Sequence, residues 1–237
     1  MSRDLDWDGC VNVRDLGGFT TPSGTTAFGV LVRADNARKL TPAGWRAASE
    51  YGIRTVLDLR SDPECAADPP AHPGFAHRRI SLFDHFDGDA AYRADLLARA
   101  ASLDNAEKHR LLYREALELD TARFAEAVGV LADADGAVLF HCAGGKDRTG
   151  VLTALLLRLA GVPLEEVEAD YVASQARLKQ GPEAHLHDTS TPPDVINRVL
   201  GELEARYGTA TSYLIEAGMP AERLDRLRSR LQSPPNI

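Results

Sequence analysis

Ala137-Val138-Leu139-Phe140-His141-Cys142-Ala143-Gly144-Gly145-Lys146-Asp147-Arg148-Thr149-Gly150 is the stretch on which the fold turns. The four apolar residues that open it suit a short buried strand. The run Val151-Leu152-Thr153-Ala154-Leu155-Leu156-Leu157 that follows suits a buried helix. Between them lies a loop with adjacent glycines, so Cys142 ends a strand and Arg148 starts a helix. The unpaired N–H groups of a helix start and the amides of a curled glycine loop form a concavity that attracts anions. A thiol in such a field titrates below the ordinary ~8.5, and Cys142 is expected to be a thiolate nucleophile. Arg148, six positions on, offers a planar fork matched to phosphate oxygens, and Ala143, Gly144, Gly145, Lys146 and Asp147 complete the cradle. Thr149 can donate its hydroxyl to the sulfur. His141 is read as a group that fixes the loop rather than as an acid.

Outward from this loop the elements alternate. Val11 to Val32 reads as a hairpin leading to an extended Val30-Leu31-Val32-Arg33. Thr41-Pro42 starts a helix that runs to about Tyr51 and stops at Gly52. Strands are expected over 54–59 and 77–82. Helices are expected over 89–119, from a Thr121 cap to about Asp133, and over 149–160, 163–178, 192–207 and 220–232. This βα order implies an α/β fold with a central, mostly parallel sheet flanked by helices and the loop at the carboxyl ends of the strands. At 237 residues and 44% hydrophobic, the chain suits a single domain over 1–237, with 89–119 as an inserted helical lid. Leu96-Leu97 and Leu111-Leu112 of that segment are expected to pack on the core, the alternative being to cover a hydrophobic substrate or a membrane edge.

Composition narrows the function. The net charge of −8 with scattered cations offers no face to nucleic acid or anionic lipid. The acidic start, Met1 to Asp8, lacks an apolar run, and no stretch is long enough to span a bilayer, so the expected location is cytoplasmic; export without a signal would leave no trace in sequence. The cysteines, Cys10, Cys65 and Cys142, suggest neither a disulfide frame nor a zinc cluster. His185 and His187 lack a nearby third ligand and read as a solvated loop, so neither metal nor cofactor is expected.

Cys142 and Arg148 with five residues between them resemble the signature loop of the cysteine-dependent phosphatase superfamily. The Gly145-Lys146-Asp147-Arg148-Thr149-Gly150 version is similar to that of the bacterial tyrosine phosphatase family typified by mycobacterial protein tyrosine phosphatase B. Asn12-Val13-Arg14-Asp15-Leu16-Gly17-Gly18, Gly29 to Ala34, Thr55 to Glu64, Ala160-Gly161-Val162-Pro163 and Asp170-Tyr171-Val172-Ala173-Ser174 match it in the same order, over roughly residues 10 to 178. Asn12 to Asp15 is read as scaffolding for the loop.

The resemblance implies hydrolysis of phosphotyrosine, with dual specificity as an extension, through a phosphocysteine. It also favours Asp147 as general acid. The residues themselves leave Asp58, at a strand end, as second choice and Asp84 and Asp87 as third. Arg60 could pair with Asp58, most simply as a surface salt bridge, or bind a second anionic group. Lys146, an extra cation in the loop, motivates the alternative of a phosphoinositide or other small phosphomonoester. A non-catalytic phosphate binder or a rhodanese-type sulfurtransferase is the remote alternative.

Overall fold

The computed structural model describes residues 1–69, 74–181, 190 and 192–232. Its elements run β1 (Arg14–Asp15), β2 (Thr20–Thr21), β3 (Gly24–Thr25), β4 (Leu31–Ala34), α1 (Pro42–Glu50), β5 (Ile53–Asp58), α2 (Asp62–Ala67) and β6 (Ala76–Arg79). They continue with α3 (Asp84–Gly88), α4 (Ala90–Ala100), α5 (Asn105–Leu119), α6 (Thr121–Asp133), β7 (Ala137–His141), α7 (Arg148–Leu159), α8 (Leu164–Gln180), α9 (Val195–Tyr207), α10 (Ala210–Glu216) and α11 (Ala221–Gln232).

Five strands form the main sheet in the order β1-β4-β7-β5-β6. Pairing is parallel between β4 and β7, β7 and β5, and β5 and β6; only β1 runs antiparallel, against β4. The mostly parallel sheet expected from the βα order is therefore present. β7 sits in the middle and is buried along its whole length. The alternation of a strand divides its side chains between two cores. Val138 and Phe140 join the cluster with α6 and α7, while Ala137 and Leu139 join Trp7, Val32, Ala48 and Ile53 on the other face. Each such side chain fully withdrawn from water stabilises the fold by roughly 1.5–3 kcal/mol. α7 is buried on nearly every side, with Val151, Leu152, Leu155, Leu156 and Leu157 at 1% exposure or less.

Several local expectations need correction. The hairpin expected over 11–32 is only the two-residue pair β2–β3, because β1 turns back to join β4 of the main sheet. Thr121 is the first helical residue of α6, with Asp120 in the capping position. The 89–119 segment is split into α4 and α5. Leu96 and Leu111 are buried, Leu97 is 57% exposed, and α5 carries Tyr113, Ala116 and Leu117 into the core. α2, α3 and α10 were not anticipated, each too short to show a helical period. His185 and His187 lie outside the described residues. Among the described residues no helix is long and apolar enough to cross a membrane.

Candidate active site

β7 delivers Cys142 to the carboxyl edge of the sheet, where the chain curls before entering α7 at Arg148. The curl depends on Gly145. Its φ of +65° lies in the left-handed region, and a Cβ there would sit 2.4 Å from the Ala34 carbonyl oxygen. The loop carbonyls are tied down from behind. Asn36 N–H donates to Ala143 O (3.0 Å), Asn12 Nδ2 to Gly144 O (3.1 Å) and Gly145 O (3.4 Å), and Arg33 Nη2 to Gly145 O (2.5 Å). In a planar trans peptide the N–H points opposite the C=O. Tying these carbonyls outward therefore turns the N–H groups of Gly144, Gly145 and Lys146 toward the concavity beside Cys142.

The ties are themselves anchored. Arg14 donates to Asn12 Oδ1, to Asp170 Oδ1 from Nε (3.0 Å) and to Ser174 Oγ (3.1 Å), while Arg33 pairs with Asp170 Oδ2 and reaches Ser174 Oγ (3.2 Å). Arg14, Arg33, Asp170 and Ser174 are all buried. Burial pushes the Asp170 carboxyl up, but the two guanidinium groups override it and hold the group at about 2. Burial lowers Arg33 to about 10, against the pull of Asp170 and the Cys142 sulfur. Asn12 thus acts as the expected scaffold. Arg14 belongs to the same expected scaffold, whereas the roles of Arg33, Asp170 and Ser174 were not read from sequence, though the motifs holding them were.

At the mouth of the loop, Arg148 is gripped by Glu64, which sequence reasoning missed. Nη2 donates to Oε1 at 2.8 Å and Nη1 to Oε2. Glu64 is fixed by a capping box at the start of α2, its Oε2 accepting from Ser61 N–H (2.8 Å) and Oγ (2.9 Å). Desolvation opposes the charge on Glu64, but Arg148 and Ser61 hold it at about 2. Desolvation likewise opposes the charge on Arg148, and Glu64 together with Cys142 more than offsets it, raising the group above its ordinary value. The Ser61-x-x-Glu64 spacing was a legible sign that this carboxylate is held rigidly.

Asp147 reaches the same mouth. Its Oδ1 accepts from the Tyr113 hydroxyl (2.5 Å) and lies 3.5 Å from Lys146 Nζ and 3.9 Å from His109 Nε2. Lys146 is buried, and its Nζ donates to Ser190 O (2.9 Å) and His109 Nε2 (3.2 Å). Tyr113 and Tyr171 hydroxyls are 2.9 Å apart. Nothing in the local sequence distinguished Tyr113, Tyr171 or His109 from core residues.

The other candidates fall elsewhere. Asp58 is at the carboxyl end of β5, fully buried, and bound by Arg60 through Nε (3.0 Å), Nη2 (2.8 Å) and the backbone N–H (3.0 Å). Desolvation pushes Asp58 up, yet Arg60 and His141 hold it at about 2, which leaves it without a proton to give at neutral pH. The Asp58–Arg60 pair expected at the surface is buried instead, Arg60 extending to Asp68 at 3.0 Å. His141 is buried, lowered to about 4 by desolvation, and touches Cys142 O through Nδ1 at 3.2 Å. The Thr149 hydroxyl is buried and makes no hydrogen bond with a described residue, so its expected bond to the sulfur is not formed in this state. Asp84 bonds Arg123 at 3.0 Å, and the Asp87 side chain lies outside what is described.

Asp147 and Arg148 open onto a cleft of about 330 Å³ lined also by Ser61, Pro63, Glu64, Phe83 and Leu112. Phe83 is buried in a left-handed conformation (φ +66°), a costly placement for an aromatic residue. The cleft joins a guanidinium and a carboxylate to an apolar wall of Pro63, Phe83 and Leu112.

Comparison with known proteins agrees with this geometry. A family model described as a tyrosine phosphatase family matches residues 5–233. A tyrosine-protein phosphatase of Nostoc commune is 30% identical over 224 residues, covering 85% of this chain and 74% of its own. A putative tyrosine-protein phosphatase of Cupriavidus necator is 30% identical over 223 residues, covering 91% and 80%. The triple specificity protein phosphatase PtpB of Mycobacterium tuberculosis is 26% identical over 274 residues, covering 94% and 97%. With nearly its whole length matched, the chain belongs to the tyrosine phosphatase family and is an enzyme of the protein-tyrosine-phosphatase type.

Proposed function

We propose that the protein hydrolyses phosphotyrosine in two displacements, with Cys142 as nucleophile, Arg148 and the loop amides as phosphate ligands, and Asp147 as general acid and then base. The carrying observation is that Glu64 holds Arg148 at the mouth of the loop that starts at Cys142, on a cleft with Phe83, Pro63 and Leu112 on its wall. The Cys142 sulfur attacks phosphorus, the bond from phosphorus to the phenolic oxygen breaks, and Asp147 protonates that oxygen. Water then attacks the phosphocysteine, gives its proton to Asp147, and the thiolate departs. A loose phosphoryl transition state needs positioned charge more than bond making by the protein, which the inward amides and Arg148 supply. Asp58, held charged by Arg60, takes no part in proton transfer. The described residues are read as one catalytic domain, in which α5 of the 89–119 segment borders the site through Leu112 and Tyr113.

Extension to phosphoserine and phosphothreonine draws support from the name of the mycobacterial relative. Hydrolysis of phosphoinositides is the weaker reading, because Lys146 is turned to Ser190 and His109 rather than into the cleft. Phosphate binding without turnover leaves the placement of Asp147 without a purpose, and sulfur transfer leaves the Glu64–Arg148 pair without one. The test is phosphate release from matched phosphotyrosine, phosphoserine and phosphothreonine peptides beside a phosphoinositide panel. A preference for phosphotyrosine is expected, and faster turnover of phosphoinositides would overturn the assignment.

A further inference from the structure

Helix α5 does more than cover the site. His109 and Tyr113 stand one turn apart and so share a face of that helix, and both are directed at the Lys146-Asp147 pair. Tyr113 is fully buried, and burial, followed by Asp147 and Tyr171, holds its phenol well above the ordinary value, so it remains a donor. Its hydrogen is committed to Asp147 Oδ1, which leaves the phenol oxygen to accept from Tyr171 of α8, 2.9 Å away. The hydrogen bonds therefore run in one direction, from Tyr171 through Tyr113 to Asp147.

His109 completes the arrangement from the other side. Its Nδ1 lies 2.8 Å from Asn105 O, which can only accept, so Nδ1 carries the hydrogen and Nε2 accepts from Lys146 Nζ at 3.2 Å. That bond, with Ser190 O, keeps the ammonium 3.5 Å from Asp147 Oδ1. Among the described residues the Tyr113 hydroxyl and the Lys146 ammonium both face Oδ1, and His109 acts on that oxygen only through Lys146.

We propose that Tyr113 and His109 are positioning residues for the general acid: Tyr113 by its bond to Oδ1, and His109 by holding Lys146 beside that oxygen, assign the transferable proton to Oδ2 and aim that oxygen at the leaving group in the cleft. This rests on Asp147 being the acid and adds who orients it. Two side chains of α5 thereby control the proton-transfer step without touching substrate.

The experiment compares phenyl phosphate, whose phenoxide needs protonation, with p-nitrophenyl phosphate, whose leaving group hardly does. Tyr113→Phe, His109→Gln and Asp147→Asn are measured alone, and Tyr113→Phe also in the Asp147→Asn background. Tyr113→Phe should lower kcat on phenyl phosphate roughly tenfold and on p-nitrophenyl phosphate less than about twofold, and should add nothing once Asp147 is Asn. His109→Gln, which keeps an acceptor for Lys146, should stay within about threefold of the parent on both substrates, whereas His109→Ala should follow Tyr113→Phe. Should Tyr113→Phe not fold, Tyr171→Phe, which removes only the donor to the phenol, should show the same selectivity at smaller size. Equal losses on both substrates from Tyr113→Phe, or full additivity with Asp147→Asn, would overturn the positioning role while leaving the acid in place. If Asp147→Asn itself affects both substrates alike, the acid assignment fails first and this proposal with it.

Discussion

The back of the phosphate loop and its mouth use the same chemistry, arginine paired with carboxylate, to opposite ends. Behind the loop, Arg14 and Arg33 share Asp170, and all three side chains are under 5% exposed. At the mouth, Arg148 is 15% exposed and its partner Glu64 32%. Behind, two guanidinium groups on a single carboxylate leave surplus positive charge, and that surplus is spent on loop carbonyls. In front, one guanidinium faces one carboxylate on the edge of an open cleft, where an incoming phosphate can share it. The rear pair fixes the shape of the cradle before any ligand arrives. The front pair meets the ligand. Damage behind should therefore register as lost stability and damage in front as lost turnover.

The sharpest way to break this division is Arg148→Lys, which keeps the charge but loses the fork. It should cut kcat/KM by roughly 10³–10⁵-fold with little change in melting temperature, and a melting shift as large as that of a rear variant would erase the distinction. Asp170→Ala is the converse. Leaving two buried guanidinium groups without their carboxylate should cost about 3–5 kcal/mol in urea unfolding, and whatever fraction stays folded should keep a KM near the parental value.

Acid titration probes the rear pair without mutation. Asp170 has a folded value of about 2 against an ordinary 3.8, so the unfolded chain takes up the proton first as pH falls. Its stabilisation is complete above that ordinary value and is lost as pH drops toward 2, a change of about 2 kcal/mol per such group. Unfolding free energy measured from pH 5 downward should fall, and Asp170→Asn should flatten part of that fall. The smallest effect belongs to Glu64→Gln, which retains Ser61 and Arg148 as neighbours but removes the charge at a partly exposed site. A loss of about tenfold in kcat/KM with stability within about 1 kcal/mol is expected from urea unfolding beside steady-state kinetics.

How much of this was legible follows the same front-to-back divide. The strand, loop and helix around Cys142 could be read because an apolar run, adjacent glycines and a second apolar run follow one another without interruption. The parallel pairing of the sheet followed from the βα order, whereas the central place of β7 emerges only from the strand order. What local pattern could not reveal were partners joined across the chain: Arg14 with Asp170, 156 positions apart, and Tyr113 with Asp147, 34 apart. Asp58 misled for a physical reason. Strand-end position predicts proximity to the site and spacing allows the pair with Arg60, but only three-dimensional packing tells that the pair is buried and holds the carboxylate charged. Glu64 lies between these cases, since its capping-box spacing announces a rigid carboxylate without saying which cation it will hold.

Covalent phosphoryl transfer to one sulfur is the step on which the proposed mechanism rests. Asp147→Ala enzyme, turned over with p-nitrophenyl phosphate and quenched in acid, should carry one phosphoryl group on the peptide containing Cys142, because loss of the base slows hydrolysis of the intermediate. Cys142→Ser treated the same way should carry none and should release no phosphate. Phosphate attached to another residue, or undiminished release by Cys142→Ser, would contradict it.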